Sequence, residues 1–206
     1  MIVRILIALI LLLPSYVTAF QEEGEQSPDI WEGSAWVIAP LQTRDATLFH
    51  SAYFSSAPYL YNVLGWGWPT AKITVEMNAN MVQHHVSQHN AGASYTYSVR
   101  KLGYADIVGA IYINPVNQSR SDVPNYNAQD YEAEMSMWFT QQVEQDEDIA
   151  QLGVDIMNWL ANEWSFNSVL IPVHENYEFL QGIMSSQELD PFTEDADAGM
   201  LLYRYP

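Results

Sequence analysis

The chain has 206 residues, 49% of them hydrophobic and 13% aromatic, enough for one domain with a buried core. Seven basic against 25 acidic residues give a formal charge of −18. That balance argues against nucleic acid or an anionic membrane surface as partner, since both demand clustered lysine and arginine.

The first residues read MIVRILIALILLLPSYVTAF. One cation, Arg4, precedes an apolar run over residues 5–13. Pro14 ends the run, and Val17 and Ala19 supply small residues at a cleavage position. This is the pattern of a secretory signal peptide, and the run is short for a membrane span. Residues 1–19 are therefore expected to be a signal peptide, and the mature protein to be exported to a periplasm or beyond without stable membrane insertion. An uncleaved anchor is the alternative. Cysteine is absent, so no disulfide framework accompanies export.

Residues 20–34 (FQEEGEQSPDIWEGS) are acidic, turn-rich and without periodicity, as in a linker. A single domain is expected over residues 35–206. AWVIAPL predicts a short strand, and Thr43 is placed to cap a helix over RDATLFHSAYF. Pro58, Gly65, Gly67 and Pro69 mark residues 55–70 as a loop. A helix is expected over 71–90, with Ile73, Met77, Met81 and His85 recurring every fourth residue. SYTYSVRKL and DIVGAIYINP, rich in β-branched and aromatic residues, read as a hairpin. A polar loop over 117–130 leads to a strand at 131–140. A helix follows, with Ile149, Leu152, Ile156, Leu160 and Trp164 on one face. SVLIPV, NYEFLQGIM and GMLLYRYP predict a buried strand, a helix and a closing strand. Strands that pair in a hairpin and then alternate with helices imply a mixed central sheet flanked by helices, an α/β domain.

The order of these elements and several of their phrases resemble the GNAT N-acetyltransferase superfamily, most closely its ribosomal-protein-acetylase-like branch. APLQTRDATLF is similar to the opening strand and first helix of that branch, and YTYSVRKLGYADIVGAIYINP to its central hairpin. AEMSMWF, which contains Trp138 and Phe139, resembles the strand lining the acetyl-CoA cleft. NWLANEWSFNSVLIPVHEN looks like the end of the cofactor helix, the next strand and a family asparagine, here Asn176. The resemblance spans residues 35–206. It implies acetyl-CoA as cofactor, with Trp138, Phe139 and Asn176 beside it. It also implies a small-molecule or peptide amine as acceptor, and Glu134 as the base drawing a proton from that amine. In the family a tyrosine in the helix after the asparagine protonates the departing thiolate; here Ile183 and Met184 stand near that position, and Tyr177 comes earlier.

One motif departs from the family. Its cofactor pyrophosphate sits on a glycine-containing loop at a helix start, where free N–H groups and the helix dipole attract anions. This chain has QQVEQDEDIA there, without glycine, lysine or arginine and with Glu144, Asp146, Glu147 and Asp148. Those carboxylates suit the start of a helix as caps and dipole partners, and they oppose a second anion. The alternative to an exported acetyltransferase is thus an exported GNAT-fold binding protein that has lost acetyl-CoA. His85 and His89, one helical turn apart, have a spacing able to grip a metal, but no third ligand stands nearby in sequence and no metal is expected. The GWGW at 65–68 suits loop packing or an acceptor pocket.

Overall fold

The computed structural model describes residues 27–65, 72–120 and 122–205. The expected signal peptide, residues 20–26 of the linker and residues 66–68 of GWGW lie outside these. The strands are β1 (Trp31–Glu32), β2 (Trp36–Pro40), β3 (Tyr95–Lys101), β4 (Ile107–Asn114), β5 (Ala133–Phe139), β6 (Val169–His174), β7 (Thr193–Asp195) and β8 (Met200–Tyr205). The helices are α1 (Ala46–Ser55), α2 (Ala57–Leu64), α3 (Val75–Asn90), α4 (Ile149–Glu163) and α5 (Glu178–Ser186). All eight strands form one sheet in the order β1-β2-β3-β4-β5-β6-β8-β7. Every pairing is antiparallel except β5 with β6, which α4 joins as a crossover. This is the mixed α/β sheet that the residue pattern implied.

The alternation of side chains along each strand sorts the core into two layers. On one face Trp138 packs edge-on against Phe49 of α1 at 5.5 Å, and Tyr112 meets His85 of α3 at 5.5 Å. On the other, Tyr97 contacts Trp159 of α4 at 4.9 Å and Phe139 contacts Phe179 of α5 at 6.2 Å. The predicted stripe of α4 is real: Leu152, Ile156 and Leu160 are buried, with Trp159 beside them. Asp155 is buried too. Its carboxylate accepts the N–H groups of Ser34, Ala35 and Trp36 at 3.0–3.2 Å, together with the Ser34 hydroxyl and the Gln151 amide. The stretch leading into β2 is thereby pinned to α4.

Several expectations are corrected. Residues 57–64, read as loop, form α2. Pro58 occupies the first turn, where its missing N–H is harmless, and Gly65 at φ 72° ends the helix in the left-handed region. The residues taken as loop punctuation are this helix's start and stop. The helix expected over 71–90 is described from Val75, where the Thr74 hydroxyl accepts the Met77 N–H. Its buried positions are Asn78 and Val82, whereas Met77 is exposed. Asn78 is drawn inward because its amide donates to the Ala46 carbonyl at 2.6 Å. β1 pairs with β2 inside the stretch read as linker, and β7 adds a strand that had no sequence signal.

Candidate functional site

β5 and β6 pair at Ala133↔Val169 and Glu134↔Leu170 and then separate. A cleft of about 310 Å³ opens where they part. Ser136, Met137 and Trp138 line it from β5, and Pro172, Val173 and His174 from β6. Leu64 at the end of α2 roofs it, and Tyr112 and Asn114 extend its floor onto β4. A cleft at the lower end of the roughly 300–1,000 Å³ range, mostly apolar with a few polar groups, has the character of a small-ligand site.

Glu134, which the resemblance implied as a base, lines this cleft with its oxygens engaged. Arg120 holds it through two nitrogens at 2.6 and 3.0 Å, and the Asn117 N–H adds a bond at 3.0 Å. Arg120 also reaches Asp195 at 3.6 Å. Such a bidentate pair is among the stronger side-chain contacts, so a base at this position must first release a guanidinium. Glu132, on the neighbouring loop, binds the backbone and side chain of Asn167 instead. Sequence reading missed Arg120, which lies in a polar loop with no pattern to single it out.

Trp138 and Phe139 are both buried. The Trp138 indole donates to the Tyr112 hydroxyl at 3.0 Å, and the Phe139 ring turns to the α5 layer. The Phe139 N–H donates to the Tyr177 hydroxyl at 3.0 Å. Tyr177 in turn meets Tyr59 of α2, whose hydroxyl donates to Glu144. Burial raises the Tyr177 hydroxyl far above its ordinary value, so it stays protonated. Asn176 has an exposed side chain, and its N–H donates to His174 Nδ1 at 3.2 Å. Tyr177, not Asn176, stands at the N-cap position of α5. Ile183 and Met184 are buried core residues.

The turn between β5 and α4 resolves the question posed by its carboxylates. The Gln141 N–H donates to the Ser56 hydroxyl, Val143 to the Thr140 carbonyl, and Asp146 to Val143. The Asp148 N–H donates to the Asp146 carboxylate at 2.9 Å, Ile149 to the Asp146 carbonyl and Gln151 to that of Asp148. A cation is present after all: Lys101, at the end of β3, sits 2.8 Å from Asp146, 3.0 Å from Asp148 and 3.7 Å from Glu147. Its ammonium holds the Asp146 carboxyl below the usual range. Six amides of the turn are thus engaged within the chain and Lys101 supplies a counter-charge, whereas Asp148, at the N-cap position of α4, makes no capping bond with its side chain. A phosphate placed there would meet few unengaged donors and several carboxylates, each costing about 1–4 kcal/mol at surface dielectrics. No glycine lies in the turn to let the backbone close on it. The residues present do not fit an acetyl-CoA pyrophosphate.

His85 and His89 do not converge with a third ligand among the described residues. His85 Nδ1 lies 3.3 Å from the Thr96 hydroxyl, and His89 bridges the Thr96 backbone and Ser27. Burial lowers the basicity of both rings.

The splayed mixed sheet is the GNAT acetyltransferase fold. A RimL ribosomal L7/L12 α-N-protein acetyltransferase in its apo form superposes with a TM-score of 0.65 and 13% identity, covering 90% of this chain and 97% of its own. The ribosomal-protein-S5-alanine acetyltransferase of Vibrio fischeri gives 0.62 and 10%, covering 86% and 96%. A RimL structure in complex with coenzyme A gives 0.62 and 11%, covering 86% and 97%. No family model matches the chain, and neither does any curated protein sequence.

Proposed function

We propose that this protein uses the GNAT fold to bind a ligand in the cleft between β5 and β6, and that acetyl-CoA is not that ligand. The observation that carries the reading is the state of the β5–α4 turn. The amides of Gln141, Val143, Asp146, Asp148, Ile149 and Gln151 are committed to Ser56, Thr140, Val143, Asp146 and Asp148 within the chain, while the cleft beside the turn stays open. The Tyr177 hydroxyl on the Phe139 N–H supports the same conclusion, because it takes a donor that a carbonyl ligand would use. Export belongs to the proposal, supported by the N-terminal pattern of Arg4, the 5–13 apolar run and Val17-Thr18-Ala19.

A second reading is acyl-CoA-dependent transfer to a small-molecule or peptide amine, supported by likeness of fold to enzymes of that kind. Fold alone hosts many functions, and the Arg120 pairing of Glu134 weighs against it. Calorimetric titration of the protein with acetyl-CoA separates the two. The expected result is a Kd weaker than about 1 mM, that is, less than about 4 kcal/mol of binding free energy. Micromolar binding would reinstate acyl transfer.

A further inference from the structure

The sheet is incomplete at one place. After their two shared pairs, β5 continues to Phe139 and β6 to His174 with no strand between them among the described residues. Their outer edges are paired throughout, β5 with β4 from Glu134 to Phe139 and β6 with β8 from Val169 to His174. Unmatched backbone capacity therefore lies on the inner edges, which face the cleft. Backbone N–H and C=O groups need partners when withdrawn from water. At one position the chain supplies a substitute, the Tyr177 hydroxyl on the Phe139 N–H.

The cleft's side chains add polarity and sign. Asn114 and Ser136, half-buried on adjacent strands, line the floor with side chains that make no hydrogen bond to any described residue. Arg120 offers no spare charge, since Glu134 and Asp195 together outweigh it. Next to the cleft, sharing Asn117, Arg120 and Met200 with it, lies a depression bordered by Asp122, Glu194, Asp195 and Asp197. The approach is acidic, in a chain of formal charge −18.

We propose that the gap binds a short extended peptide of neutral or basic sequence, added as a strand between β5 and β6. An unpaired strand edge recognises another extended backbone through its amides, and side-chain pockets then set specificity. Asn114 and Ser136 are the groups placed to read a polar side chain or peptide carbonyl. The acidic rim favours a basic residue and repels an acidic one. The inference rests on the reading of the cleft as a ligand site closed to acetyl-CoA.

The test is amide NMR of the full chain, titrated separately with acetyl-Ala-Lys-Ala-methylamide, acetyl-Ala-Glu-Ala-methylamide and acetyl-CoA at low salt. The lysine peptide is expected to shift amides of residues 135–139 and 171–174. Its Kd should be at least about tenfold lower than that of the glutamate peptide, with the difference shrinking as salt rises. The double variant Asn114→Ala, Ser136→Ala should weaken lysine-peptide binding without moving the urea midpoint by a comparable amount. Equal affinity for both peptides, or shifts confined to other surfaces, would overturn the proposal. Silence from peptides and acetyl-CoA alike would also overturn it while leaving the lost-cofactor reading in place. Shifts of these amides by acetyl-CoA would defeat that reading itself.

Discussion

Replacing Asp155 with alanine should cost far more than its position on a helix suggests. The side chain is 2% exposed, yet it carries a charge that α4 presents to the N-terminal edge of the sheet. Burial by itself would raise its carboxyl. The N–H groups of Ala35, Ser34 and Trp36 and the Gln151 amide outweigh burial and hold it below the usual range. Removing the carboxylate leaves the Ala35 and Trp36 N–H groups, each bonded at 3.0 Å, without an acceptor. At about 1–3 kcal/mol for each stranded buried donor, the loss is about 2–6 kcal/mol. Asp155→Asn should lose less, because one amide oxygen still accepts. Gly33→Ala should fail at the same junction, since a Cβ there would lie 2.5 Å from the Asp155 carboxylate. The pH sign follows: a depressed carboxyl stabilises the fold above its unfolded value of about 3.9, and that contribution disappears as pH falls through the folded value. Urea midpoints at neutral pH, and again across the acid range, read all of this. An Asp155→Ala midpoint within error of the parent would refute the account of how the N-terminal edge is held.

Trp159→Ala and Leu160→Ala should each destabilise by about 2–5 kcal/mol, because both side chains are buried against the sheet; denaturant melts followed by tryptophan fluorescence or circular dichroism check this. Arg120→Leu should cost about 3–5 kcal/mol by leaving Glu134 unpaired in a half-buried setting, and the added change Glu134→Leu should recover most of it; a double-mutant cycle measures the pair. His85 and His89 are both held less basic than the ordinary 6.5 by burial. The folded state then binds fewer protons than the unfolded one, so stability should fall as pH drops below about 6.5. That slope should flatten in His85→Gln, His89→Gln, as read from melting temperature against pH.

Repetition along the chain determined most of the architecture. The β-branched and aromatic residues of YTYSVRK and IVGAIYIN mark the hairpin, and the Leu152, Ile156, Leu160 spacing fixes α4 and the face it buries, because burying an apolar stripe is the dominant local gain. The absence of glycine between Phe139 and Ile149 was equally plain in sequence, and it carried the doubt about a phosphate. Proline and glycine were ambiguous: Pro58 and Gly65 break a helix or bound one according to what packs between them, here the buried Leu60, Val63 and Leu64. The partners of the charged groups were beyond local reading altogether. Lys101 meets Asp146 across 45 residues, Asp155 meets Trp36 across 119, and Tyr59 meets Glu144 across 85. Whether a carboxylate repels a ligand, caps a helix or pins a strand depends on the donor facing it. That donor is chosen by the path of the whole sheet, because hydrogen bonds and ion pairs act over a few ångströms of space, whatever the separation along the chain.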